Sequence, residues 1–135
     1  MGIAALVVWI LTAGGGAFML AKWVGGGGHR QPTSSHLPPG VVFGHFGLAA
    51  AGLVLWIVYL AIDNHTIGWI SIAALALVAI LGFVLLARWV PTYRARQTAG
   101  APSEAPPERG FPVAVVVGHG VLAVATVVLA LLAIR

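Results

Sequence analysis

Two histidines stand where little else in the chain is polar: His45 in "GHFGLAAAGLVL" (44–55) and His119 in "GHGVLAVATVVL" (118–129). An imidazole in an apolar run can ligate a metal through a ring nitrogen, handle a proton, or hydrogen-bond a neighbouring helix. Ionisable groups at membrane depth are rare and functional by default. The third use, helix-to-helix glue at ~1 kcal/mol, is the modest alternative.

The remaining composition narrows the chemistry. The chain has no Cys, so disulfides, thiolate metal sites and iron–sulfur clusters are excluded and any metal must be held by His. The only acids are Asp63, Glu104 and Glu108, all outside the apolar stretches. A proton- or cation-coupled transporter would therefore lack its buried carboxylate. No phosphate-cradling glycine loop, nucleophile with a base, or carboxylate pair is present, so no catalytic residue is assigned and a hydrolase is not expected. His29 and His36 have no carboxylate or Cys near enough in sequence to complete a zinc site and read as solvated loop residues.

The elements that position these residues are membrane helices. The 135 residues are 60% hydrophobic and 7% charged, with a mean hydropathy of +1.02, which is lipid-soluble composition. Apolar stretches at about 3–24, 41–62, 67–90 and 111–134 each reach the ~20 residues needed to cross a ~30 Å hydrocarbon core. The expectation is a single all-α domain, an integral membrane four-helix bundle. The first stretch lacks a basic n-region and a cleavage site, and is kept as a helix rather than a signal peptide.

Six of the seven cations, Lys22, Arg30, Arg88, Arg94, Arg96 and Arg109, fall in or beside the two long connections, 25–40 and 91–110. That distribution is a topology signal rather than a nucleic-acid footprint. It predicts both long loops in the cytoplasm and both termini outside, in the inner membrane of a bacterium. Those loops, rich in Gly, Pro and Ser, are expected to be flexible. The short outer connection, "DNHT", makes helices 2 and 3 antiparallel neighbours, with Asp63, Asn64 or Thr66 capping helix 3. The aromatic residues Trp23, Trp89 and Tyr93 at one end, and Trp9, Trp56, Tyr59 and Trp69 toward the other, read as interfacial belts, with Trp56 on the His45 face.

An internal repeat ties the histidines together. "GAFMLAKWV" (16–24) aligns with "GFVLLARWV" (82–90), placing Trp23 over Trp89 and Lys22 over Arg88 at an offset of 66. The two histidine segments align at an offset of 74, with seven of twelve positions identical. Ala, Val and Leu matches carry little weight in such a chain, whereas Trp and His are scarce. The bundle thus reads as two tandem two-helix hairpins, about 1–62 and 67–135. Hairpins repeat with the same orientation, so helices 2 and 4 are parallel and both imidazoles lie ~10 Å from the loop-side surface. The histidines can face one another.

On their faces lie Ala49, Gly52 and Trp56 on helix 2, and Ala123, Thr126 and Ala130 on helix 4, nearly all small enough to leave room for a flat macrocycle. Gly14, Gly15, Gly16 and Gly82 widen the same interior. Gly44 and Gly118, which precede the histidines, read as close-packing points. The implied group is a b-type haem with His45 and His119 as axial ligands, Ala49, Gly52, Ala123 and Thr126 along its pocket, and Lys22 and Arg88 as propionate partners. Bis-His ligation leaves one-electron transfer as the chemistry, to or from a quinone or a respiratory complex.

With His in helices 2 and 4 at equal depth, the chain resembles the transmembrane b-type cytochromes: the ascorbate-reducible family and the haem-bearing membrane anchors of respiratory dehydrogenases. It departs from the ascorbate-reducible pattern in lacking two further helices and a second histidine pair, so a second haem and transfer across the membrane do not carry over from the resemblance. "GHFGLAAAGLVLW" and "GHGVLAVATVVL" are also similar to segments of small four-helix membrane proteins of GC-rich bacteria, which implies no activity. The competing reading is a cofactor-free accessory or scaffolding subunit, or an oligomer, packed in the bilayer against a larger complex.

Overall fold

The structure is a computed structural model that describes residues 1–30, 35–98 and 105–135. It contains four long helices: α1 (Gly2–Gly25), α2 (Pro39–Ile62), α3 (His65–Thr98) and α4 (Val113–Ala133). A short 3-10 turn, Pro107–Gly110, precedes α4. All four helices are long and apolar enough to cross a membrane. The chain is an all-α four-helix bundle with the composition of an integral membrane protein.

Local signals fix the helix ends. Pro38 and Pro112, both extended, sit just before α2 and α4, where a missing N–H costs nothing because the first turn has no intrahelical acceptor for it. At the far end of α2, Asp63 takes the left-handed conformation (φ 50°) and ends the helix. Asn64, one of the three cap candidates, then accepts the Ile67 N–H through Oδ1 at 3.2 Å and starts α3. Helix α3 departs from expectation. It runs through Pro91 to Thr98, so 91–98 is helix rather than loop. A proline removes one backbone donor, and the 34-residue helix, ~51 Å long, carries that single loss near its C-terminal end.

The packing order interleaves the two sequence halves. α1 packs most closely on α4 and α2 on α3, α1–α2 and α3–α4 contacts are sparser, and α2 and α4 stand on a diagonal without backbone contact. Each tight pair thus takes one helix from each half.

Two apolar clusters fill the bundle. Toward the chain termini lie Trp9, Trp56, Tyr59, Leu75 and Ile134; toward the long loops lie Trp23, Leu37, Val42, Trp89 and Phe111. The interfacial-belt reading of the tryptophans is corrected: Trp9, Trp23, Trp56 and Trp89 are all buried, and Trp69 alone of the five is exposed. Lipid is as apolar as the interior, so hydrophobicity does not decide which side a tryptophan takes. A hydrogen-bond partner for the indole N–H does. Three of the four buried indoles have one: Trp56 donates to the Gly2 carbonyl at 3.2 Å, Trp23 to Ser35 Oγ at 2.9 Å and Trp89 to the Glu108 carbonyl at 3.0 Å.

Candidate functional site

Between the two clusters sit the histidines. His45 on α2 and His119 on α4 reach toward each other across the diagonal, with ring centres 6.3 Å apart and planes inclined at 64°. Both side chains are half-buried.

Each ring is anchored in the same way. His119 Nδ1 bonds the Thr12 carbonyl on α1 at 2.8 Å, and His45 Nδ1 bonds the Val78 carbonyl on α3 at 3.0 Å. One turn further along each acceptor helix is a glycine. A Cβ on Gly16 would stand 3.0 Å from His119 Cε1, and one on Gly82 would stand 3.2 Å from His45 Cε1. Thr12 and Val78, like Gly16 and Gly82, are separated by the offset of 66 found in the tryptophan repeat. The glycines were expected to widen the interior; in the folded chain, Gly15, Gly16 and Gly82 give that space to the imidazoles themselves. Among the described residues, a Cβ on Gly14, Gly44 or Gly118 would meet nothing within 4 Å, so no close contact requires a glycine at these positions.

The anchors determine the tautomer. A backbone carbonyl only accepts, so each Nδ1 carries the hydrogen and each neutral ring keeps its lone pair on Nε2. Two rings so fixed cannot donate to one another. They can share only something that accepts electron pairs or donates hydrogen bonds.

The other residues proposed for a cofactor fall in different places. Ala49 and Ala123, one turn beyond the histidines, are half-buried. Gly52 is closed off, since a Cβ there would lie 3.2 Å from the Trp9 ring and 3.5 Å from Ala74. Ser71, also buried, donates to the Gly52 carbonyl at 2.8 Å. Thr126 is buried with its hydroxyl 3.3 Å from that of Thr12, and each threonine also donates to a carbonyl of its own helix at 2.8 Å. Gly52 and Thr126 thus belong to the packed layer beyond the pair. Lys22 and Arg88 are exposed, each one position before a buried tryptophan and therefore ~100° around its helix from it. The Lys22 ammonium lies 5.8 Å from the Phe18 ring centre, and Arg88 donates to the His36 carbonyl at 3.4 Å.

The loop end holds a network that sequence reasoning missed. Glu108 is fully buried: Oε1 accepts from the His36 backbone N–H at 2.6 Å and Oε2 from the Ser35 hydroxyl at 2.9 Å. The His36 ring, 66% exposed, brings Nδ1 to 3.3 Å from both Glu108 Oε1 and the Thr92 hydroxyl. His36 is therefore tied to a carboxylate from the other loop rather than simply solvated. His29 is half-buried beside Trp23, at 6.4 Å between ring centres. The described parts of the two loops are cross-braced; 31–34 and 99–104 lie outside the described residues. The available signal was the spacing of Glu108 ahead of Pro112, matched by Ser35 ahead of Pro39.

Among the described residues, no group of three or more His, Asp or Glu is placed to hold a metal ion. A site at the centre of the bundle would have two protein ligands. Comparison with known families, curated proteins and solved structures finds no match for this chain.

Proposed function

We propose that this chain is a membrane-embedded one-electron carrier whose His45 and His119 hold a single b-type haem. The observation that carries the reading is the anchored pair: two imidazoles with ring centres 6.3 Å apart, each locked by a carbonyl with Nε2 left as its acceptor. Metal-bound histidines characteristically donate their other ring N–H to a carbonyl or carboxylate, which orients the ring and fixes the tautomer. With ring centres 6.3 Å apart, His45 and His119 are the two residues that would hold the iron of such a group.

The residues around the pair limit the site. Ala49 and Ala123 supply small walls on the side of the termini, and Gly16 and Gly82 let the rings lie against their helices. Gly52 and Thr126 lie in the packed layer beyond the pair, and Lys22 and Arg88 are exposed, where they would be open to propionate groups. When bound, the haem would supply one-electron chemistry. The protein excludes water, holds both ligands in one tautomer, and keeps charged residues away from the centre. A lipid-soluble quinone or a respiratory complex is the electron partner proposed, in a bacterial inner membrane with the long loops facing the cytoplasm.

The test is a dithionite-reduced minus oxidised spectrum of the full chain extracted in mild detergent. A b-type α-band, lost equally in His45→Ala and His119→Ala, supports the carrier. A colourless protein that co-purifies with a larger membrane complex would replace it with the accessory-subunit reading.

A further inference from the structure

A cavity of about 600 Å³ opens at the loop end, between the segment leading into α2 and the last membrane turns of α3. Its walls are mainly apolar, with Leu37, Pro38, Pro39, Ala87 and Pro91 prominent, and the polar side chains are those of Ser35, His36 and Arg88. We propose that it is a binding site for the phosphate headgroup of a membrane phospholipid.

Position is the first argument. Arg88 is the first charge met along α3 after the apolar run, so the cavity lies where the hydrocarbon core gives way to headgroups. Charge is the second. The guanidinium has five N–H donors, and the contact assigned to it is a long one, 3.4 Å to the His36 carbonyl. Its planar fork suits two phosphate oxygens at once. The nearby carboxylate does not compete, because Glu108 is buried with both oxygens engaged by Ser35 and His36. Asymmetry is the third. Lys22 matches Arg88 in the repeat, yet beside it Pro107 packs onto the α1 terminus, where a Cβ on Gly26 would stand 2.8 Å from the proline Cβ. The apolar walls select an amphiphile over a free anion.

The experiment titrates the purified full chain with phosphatidylglycerol and, separately, with diacylglycerol, which lacks the phosphate, reading bound lipid by native mass spectrometry. Phosphatidylglycerol should bind at least about tenfold more tightly, the effect of a charge-assisted hydrogen-bonded pair. Arg88→Gln should remove that preference, and Lys22→Gln should leave it intact. Ala87→Phe, which fills the cavity without changing charge, should also weaken binding. Equal binding of the two lipids, or equal loss from Arg88→Gln and Lys22→Gln, overturns the proposal. So does complete displacement by inorganic phosphate, which would make the ligand a soluble anion.

Discussion

His119 is bonded to Thr12 across 107 positions of sequence, through Nδ1 and a helix carbonyl at 2.8 Å. Nothing about Thr12 as a residue type announces this, because its backbone accepts the bond. The contact needs close approach of α1 and α4, and Gly16 permits it. The equivalent bond from His45 to Val78 runs past Gly82.

Substituting these glycines therefore tests the anchors. Gly16→Ala should cost about 1–3 kcal/mol, the usual range for overpacking, and Gly82→Ala somewhat less, because its Cβ would have 3.2 Å rather than 3.0 Å. Gly14→Ala, which meets nothing, should be neutral or stabilise by up to about 1 kcal/mol. Reversible denaturation in detergent ranks the three; an equal effect at Gly14 and Gly16 would contradict the geometry.

Removing the buried carboxylate should uncouple the loops. Glu108→Ala removes the carboxylate that accepts from the Ser35 hydroxyl and the His36 N–H, at about 1.5–3 kcal/mol for each hydrogen bond to a charged group. Hydrogen exchange at 35–37 should accelerate along with a fall in melting temperature. Glu108→Gln, which keeps one acceptor oxygen, should fall between the variant and the parent.

The two loop-end tryptophans should respond alike to loss of their N–H groups. Trp23→Phe and Trp89→Phe each give up one hydrogen bond, at about 0.5–1.5 kcal/mol plus the volume change. Urea-dependent unfolding followed by circular dichroism measures both. A null result at Trp23 with a large one at Trp89 would show that the ends of α1 and α3 are not equivalent.

Thr12 and Thr126 offer a coupling measurement. Their hydroxyls lie 3.3 Å apart, but each already donates to its own helix at 2.8 Å, so only a weak bond is left between them. A double-mutant cycle with Thr12→Val and Thr126→Val should return a coupling of about 0.6 kcal/mol or less.

The bundle and the histidine pair were legible in the sequence for two reasons: hydropathy marks spans, and scarce residue types make a repeat visible. Trp23 over Trp89 and His45 over His119 sufficed to place the imidazoles opposite each other. The anchors were not legible, since carbonyl acceptors carry no side-chain signature. The tryptophans were misplaced because amphipathic rings suit an interface and an N–H partner inside a bundle equally well. Pro91 suggested a helix end that the length of α3 overrides. Glu108 looked like an ordinary loop acid, because burial depended on two distant loops meeting.

The interleaved packing of α1 with α4 and α2 with α3 also bears on autonomy. Severed from its sister, either hairpin would have a histidine with no carbonyl to hold it and an apolar flank with no mate. The smallest piece able to complete itself is accordingly two hairpins, whether joined by peptide bonds or brought together as a dimer.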